Sequence, residues 1–109
     1  MKKYTLTLDL KDDESLIAAY ITHHQQVWPE ILDSIKESGI HTMEIYQVAN
    51  RLFMMIEADE EFSFQRKNEI DEANPKVQEW EQLMDQYQAR LPFATGNEKW
   101  VLMNKIFEL

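Results

Sequence analysis

Tyr4, Leu6, Leu8 and Leu10 alternate with Lys3, Thr5, Thr7 and Asp9, the period of a strand with one buried face. The period then lengthens. After the Lys11-Asp12-Asp13 turn, Leu16, Ile17, Ala19, Tyr20, His23, His24 and Val27 recur at helical spacing, which predicts a helix over Glu14–Gln25 with its acids in the first turn. Trp28-Pro29-Glu30 breaks and restarts that helix, because proline suits a first helical position, and Ile31, Leu32 and Ile35 line one side up to a capping Gly39. Ile40–Val48 and Arg51–Glu57 flank Ala49-Asn50 as two strands of a hairpin whose turn type the sequence leaves open. A helical segment of about ten residues ends at Ala73. Asn74-Pro75 then starts a longer helix through Gln88, carrying Val77, Trp80, Leu83, Met84 and Tyr87. Past the Leu91–Asn97 loop, Trp100, Leu102 and Ile106 against Val101, Met103 and Phe107 predict a closing strand that is apolar on both sides.

Strand, helix, strand, strand, helix, strand is the order of an α+β, ferredoxin-like βαββαβ domain, an antiparallel sheet with its helices on one face. The other face needs a cover, and with no further element in the chain the expected cover is a second copy, giving a homodimer through the sheet face. A chain of 109 residues suffices for one core, so residues 1–109 are expected to form a single domain.

Composition narrows the chemistry. A formal charge of −9 repels phosphate backbones and anionic membranes, so neither nucleic acid nor membrane is an expected partner. With no cysteine there is no thiolate nucleophile, iron–sulfur cluster or cysteine-based zinc site. Two glycines leave no glycine-rich phosphate loop, and the acidic run at Glu57, Asp59, Glu60 and Glu61 lacks the glycine-containing turn of a cation loop. The alternating N-terminus is unlike a signal peptide and no segment reaches membrane-spanning length, so the expected setting is cytoplasmic.

Tyr20 and His24 stand four apart, which on a helix puts both side chains on one face. Imidazole exchanges a proton near neutral pH and a phenol holds or passes one, so the pair suits acid–base work on an alcohol. The same spacing also arises when a tyrosine packs in a core and a histidine sits solvated at a helix end. Adjacent His23 and His24 point about 100° apart and do not converge on a metal. Trp28, Trp80 and Trp100 each offer a flat face to a sugar's C–H surface or to the core. Trp80 has the added feature of a neighbouring carboxylate acceptor, Glu81.

Tyr20-x-x-x-His24, Val27-Trp28-Pro29-Glu30-Ile31, Gly39 followed by Glu44-Ile45-Tyr46, Gln78-Glu79-Trp80 and the ending Ile106-Phe107-Glu108-Leu109 together resemble the L-rhamnose mutarotase family. The resemblance runs from the first strand to the last residue. It implies a dimeric α+β barrel that interconverts the α and β anomers of a 6-deoxy-L-sugar without metal or cofactor. By position it puts the proton-transferring histidine at His24, the sugar-holding tyrosine at Tyr20 and a sugar-contacting tryptophan at Trp80. The rhamnose enzymes have a tyrosine where this chain has Met43 and a second tryptophan where it has Glu81. These substitutions, with Thr42-Met43-Glu44-Ile45-Tyr46, Phe62-Ser63-Phe64 and Glu98-Lys99-Trp100-Val101, are similar to the branch associated with L-fucose.

The resemblance therefore implies acid–base ring opening and closure of L-fucose, with L-rhamnose as the alternative substrate. His24 and Tyr20 are the expected catalytic residues, and Trp80, Glu81, Met43, Tyr46 and Trp28 the expected sugar-binding ones. Two other readings share the architecture: a monooxygenase-like barrel and a non-catalytic domain that binds a small ligand.

Overall fold

The computed structural model describes Met1–Leu109. Its elements run β1 (Lys2–Leu10), α1 (Glu14–His24), α2 (Pro29–Glu37), β2 (Ile40–Val48), β3 (Arg51–Ala58), α3 (Phe64–Glu72), α4 (Pro75–Asp85), β4 (Gln88–Ala89) and β5 (Val101–Leu102). The sheet order is β2-β3-β1-β4, with β5 also paired to β1, and each of these pairings is antiparallel. This is the expected ferredoxin-like arrangement, with the helical layer divided at Pro29 and Pro75 into the pairs α1/α2 and α3/α4, as the two prolines predict.

Local chemistry sets the element boundaries. The Asp13 carboxylate accepts from the N–H groups of Ser15 and Leu16 and caps α1, while Asn74 caps α4 ahead of Pro75. Gly39 has φ +98°, and a Cβ there would stand 3.2 Å from Asp59 Oδ2, so the step from α2 into β2 requires a residue without a side chain. In the β2–β3 hairpin, Val48 pairs with Arg51, and Ala49 alone among the turn residues has positive φ, as at the first central position of a type II′ turn. Asn50 then ties the hairpin to β1: its N–H₂ donates to Leu10 O at 3.1 Å, and its carbonyl accepts from Leu10 N at 2.7 Å.

Leu6, Leu8 and Leu10 of β1 share the helix-facing side of the sheet with Leu52, Met54 and Ile56 of β3. Leu10 and Leu52 pack with Tyr20, Ile31, Val77, Trp80 and Met84 in one cluster. Leu6 and Ile56 pack with Ile40, Ala58 and Phe62 in another. Each fully buried leucine contributes about 1.5–3 kcal/mol. On the open side lie Thr5, Thr7, Phe53, Met55, Tyr46 and Val48.

Two expectations need correction. The helix beginning at Pro75 stops at Asp85 rather than Gln88, because the backbone beyond it is taken by β1: Lys11 N donates to Tyr87 O at 2.8 Å and Gln88 pairs with Leu10. The closing strand is only Val101–Leu102, followed by one more bond from Met103 N to Thr5 O at 2.8 Å. Continuing its register would set Lys105 directly opposite Lys3, an unfavourable like-charge pair. Lys105 instead pairs with Glu108 in the tail, where Ile106 and Phe107 are exposed.

Candidate active site

Tyr20 and His24 meet on α1, at the edge of an open cavity of about 240 Å³ between that helix and β2–β3. Ile21 of the same helix, Gln25 from the helix end, Ile45 and Gln47 from β2 and Leu52 from β3 complete its walls. Its volume is on the scale of a single small polar molecule, below the roughly 300 Å³ at which drug-sized pockets begin.

Helical geometry fixes the histidine. His24 Nδ1 lies 2.8 Å from the backbone oxygen of Tyr20, and because a carbonyl only accepts, the proton sits on Nδ1. The Nε2 lone pair is thereby left free. Burial lowers the His24 pKa below the ordinary 6.5, the Tyr20 carbonyl opposes that shift, and the neighbouring His23 adds to it. At neutral pH His24 is an uncharged base.

Tyr20 is 3% exposed, and burial pushes its phenol up to about 12, opposed by the Gln88 side chain and reinforced by the charge of Glu81. It stays protonated at neutral pH. One helix face therefore presents a proton acceptor and a proton donor whose environments drive their pKa values apart.

The remaining expected residues are distributed unevenly. Trp80 of α4 backs the histidine edge-on, with ring centroids 5.7 Å apart, and meets Trp28 at 5.1 Å. At 7% exposure Trp80 is a core residue and presents no open platform. Trp28 is half-buried, with Lys76 Nζ 5.8 Å from the centre of its ring. Glu81 is held by Lys99, whose Nζ lies 2.7 Å from Glu81 Oε2 and 2.7 Å from Asp85 Oδ1. Met43 shares the inward side of β2 with Ile45 and Gln47 and packs against the Leu6–Ile56 cluster. Tyr46 points the other way. It lies on the open sheet face, 53% exposed, with its hydroxyl donating to Glu44 Oε2 at 2.8 Å, and does not line this cavity.

The two adjacent histidines diverge: His23 Nε2 meets the Tyr87 hydroxyl at 3.0 Å while His24 turns to the cavity. Sequence reasoning passed over Gln47 and Gln25. The signal for Gln47 was a polar side chain in register with inward Leu52, a position that otherwise calls for an apolar residue.

Fold and pocket together define a ferredoxin-like α+β protein with a neutral histidine and a protonated tyrosine side by side at an open cavity. The L-rhamnose mutarotase family profile matches residues 3–109. An L-fucose mutarotase from Xanthomonas campestris pv. campestris is 37% identical over 111 residues, covering 100% of this chain and 89% of that protein. A UPF0734 protein from Dictyostelium discoideum is 33% identical over 115 residues, covering 99% and 90%. Among solved structures, an L-rhamnose mutarotase from Formosa agariphila superposes with a TM-score of 0.74 at 19% identity, covering 100% of this chain and 99% of that one. Tetracenomycin F2 cyclase from Streptomyces glaucescens reaches 0.60 at 18% identity, covering 100% and 97%, a likeness of fold alone. The chain belongs to the L-rhamnose mutarotase family, and so to the isomerases that exchange sugar anomers.

Proposed function

We propose that this mutarotase acts preferentially on L-fucose, with His24 as proton acceptor and Tyr20 as proton donor. The observation that carries the reading is the pairing, on one cavity wall, of an imidazole whose Nε2 is free with a phenol kept protonated by burial. His24 takes the proton of the C1 hydroxyl as Tyr20 gives one to the ring oxygen. The C1–ring oxygen bond breaks and a carbonyl forms at C1. Rotation about the C1–C2 bond presents the other carbonyl face. Closure then runs the transfers in reverse, returning both groups to their starting protonation states with no net change in atoms or electrons.

Support for fucose comes from the L-fucose mutarotase relative that this chain matches along its whole length, and from Glu81. Glu81 does not line the cavity, but its charge reaches Tyr20, and with Oε2 tied to Lys99 its Oε1 is the atom left to accept a sugar hydroxyl. A site that reads a hydroxyl through a hydrogen bond rejects the epimer that leaves its acceptor unpaired.

Exchange NMR of the anomeric protons of L-fucose, L-rhamnose and D-galactose at catalytic protein concentration tests the reading. Faster exchange with L-fucose than with the other two is expected. Preference for L-rhamnose would reverse the substrate assignment, and no acceleration with any sugar would remove the activity.

The active form is a homodimer formed through the open sheet face. Across that face uncharged Thr5, Thr7, Phe53, Met55 and Tyr46 occupy the middle, while Glu44 lies along the β2 edge, Lys3 and Glu57 at one end and Asp9 and Arg51 at the other. A neutral centre with a charged rim is the layout of a protein interface. A structural neighbour at TM-score 0.54 and 18% identity, which covers 98% of this chain and 91% of that one, is a dimeric ferredoxin-like protein.

A further inference from the structure

The two walls of the His24–Tyr20 cavity differ in chemistry. Tyr20, His24 and Gln25 come from α1 and the residue that ends it, whereas the sheet supplies Ile45, Leu52 and Gln47. Gln47 is therefore the one polar side chain on the wall that faces the proton-transferring pair. The sheet sets its direction: the register shift between Ile40 and Thr42 puts Gln47 on the same side of β2 as Ile45, paired with Leu52, which is 1% exposed. Gln47 itself is exposed at the cavity, where a bound molecule can reach it. Its amide is also oriented. Nε2 donates to Ala49 O at 2.6 Å, and because a carbonyl only accepts, the nitrogen is committed to the hairpin turn and Oε1 is the atom left for a ligand. An acceptor already held in place loses less freedom when a ligand arrives than one on a free side chain.

We propose that Gln47 determines specificity by accepting, at Oε1, the hydrogen bond of the sugar's C4 hydroxyl. This assignment rests on the reading of His24 and Tyr20 as the proton-transferring pair. With the C1 hydroxyl at His24 and the ring oxygen at Tyr20, that edge of the six-membered ring lies along α1. C4 stands across the ring from C1, and C3 across from the ring oxygen, so the C3–C4 edge turns to the sheet wall, where Ile45 and Leu52 offer it nothing polar. L-Fucose and L-rhamnose share their configuration at C3 and are opposite at C4. An acceptor fixed beside C4 meets the hydroxyl of one sugar and is left unpaired by the other.

The test is anomer-exchange NMR with three sugars, L-fucose, its C4 epimer 6-deoxy-L-glucose and its C2 epimer 6-deoxy-L-talose, on the unmodified protein and on Gln47→Met. Methionine keeps the unbranched shape and removes the acceptor. For L-fucose and 6-deoxy-L-talose, which share the C4 configuration, kcat/KM should fall about tenfold, the worth of one hydrogen bond. For 6-deoxy-L-glucose it should change by less than about twofold, since that sugar's C4 hydroxyl never met the amide. An equal fall with all three sugars would mean that the side chain only braces the hairpin through Ala49, and no fall with any would mean that it does not meet the sugar. Either result overturns the proposal, as does a change confined to the ratio between the C2 epimers.

A readout independent of turnover is the affinity of the same three sugars, from ligand-observed NMR titration. Gln47→Met should bind L-fucose and 6-deoxy-L-talose about tenfold more weakly and 6-deoxy-L-glucose within about twofold of the unmodified protein. If the unmodified protein accelerates no sugar, the mutarotase reading fails, and the titration still decides Gln47. Affinities that fall only with the C4 configuration of L-fucose support the contact. Affinities that are unchanged or that fall uniformly overturn it, and so does a failure of the unmodified protein to bind any of the three.

Discussion

Lys99 Nζ lies 2.7 Å from Glu81 Oε2 and binds α4 to the segment that leads into β5. The lysine is only 18% exposed, and Asp85 shares it at 2.7 Å, so the pair is better shielded than a surface ion pair. Lys99→Met should lower stability by about 1 kcal/mol, read as a fall in Tm of about 4–8 °C for a domain of this size. Freed from the lysine, the Glu81 carboxylate loses its fixed direction, so the KM for L-fucose should rise while kcat changes less. Thermal melting and anomer-exchange kinetics check both. An unchanged KM would mean that Glu81 does not meet the sugar.

His24→Ala should reduce kcat by about 10²–10⁴-fold, the usual worth of a positioned acid–base group. His24 is half-buried at the helix end, and its Nδ1 bond is to its own helix, so the melting temperature should move little. His23→Ala provides the contrast. It removes the 3.0 Å contact with the Tyr87 hydroxyl, costs about 1 kcal/mol of stability and should leave kcat near that of the unmodified protein. The reverse pattern, with His23 the more sensitive of the two, would reassign the base.

The pH profile follows from the two pKa shifts. The pKa of His24 lies below 6.5, mainly through burial, so kcat/KM should hold level through neutrality and decline only as pH falls through that lowered value. Tyr20 loses its proton near pH 12, so the phenol causes no alkaline decline through the weakly basic range. Stability carries the same signature. The folded state favours neutral His24, so this contribution is complete above the unfolded value of about 6.5 and is lost as pH falls through the lower folded value. His24→Ala should flatten that part of the stability curve, as measured by urea unfolding across the acid range.

Much of this site was legible because helical spacing is robust. Residues four apart share a helix face whatever the tertiary context, and Tyr20 and His24 do. Strand β2 was less legible, for a specific reason. Ile40 and Met43 both face inward although three positions separate them, because the pairing register shifts between Ile40 and Thr42. The bulge at His41 reverses the parity of the strand, turning Met43, Ile45 and Gln47 toward the helices and Tyr46 toward the open face. No local pattern announces that reversal, since Tyr46 and Val48 are as apolar as Met43 and Ile45. The Lys99–Glu81 pair was invisible for another reason: its partners stand 18 residues apart on different segments, and side-chain periodicity carries no information about such pairs.

Tyr46 then becomes a probe of assembly rather than of catalysis. It stands beside Phe53 on the open face, with ring centroids 6.2 Å apart, between Glu44 of the β2 edge and the uncharged middle of the surface assigned to the second copy. Tyr46→Asp would add a carboxylate next to Glu44 and, in a twofold dimer, bring two such charges into one desolvated patch. Sedimentation should show the variant shifted toward monomer at concentrations where the unmodified protein is dimeric. The His24–Tyr20 cavity lies on the other side of the sheet, so turnover per chain should survive the separation. A variant that remains dimeric would move the interface elsewhere, whereas a monomer without activity would show that a group from the second copy completes the site.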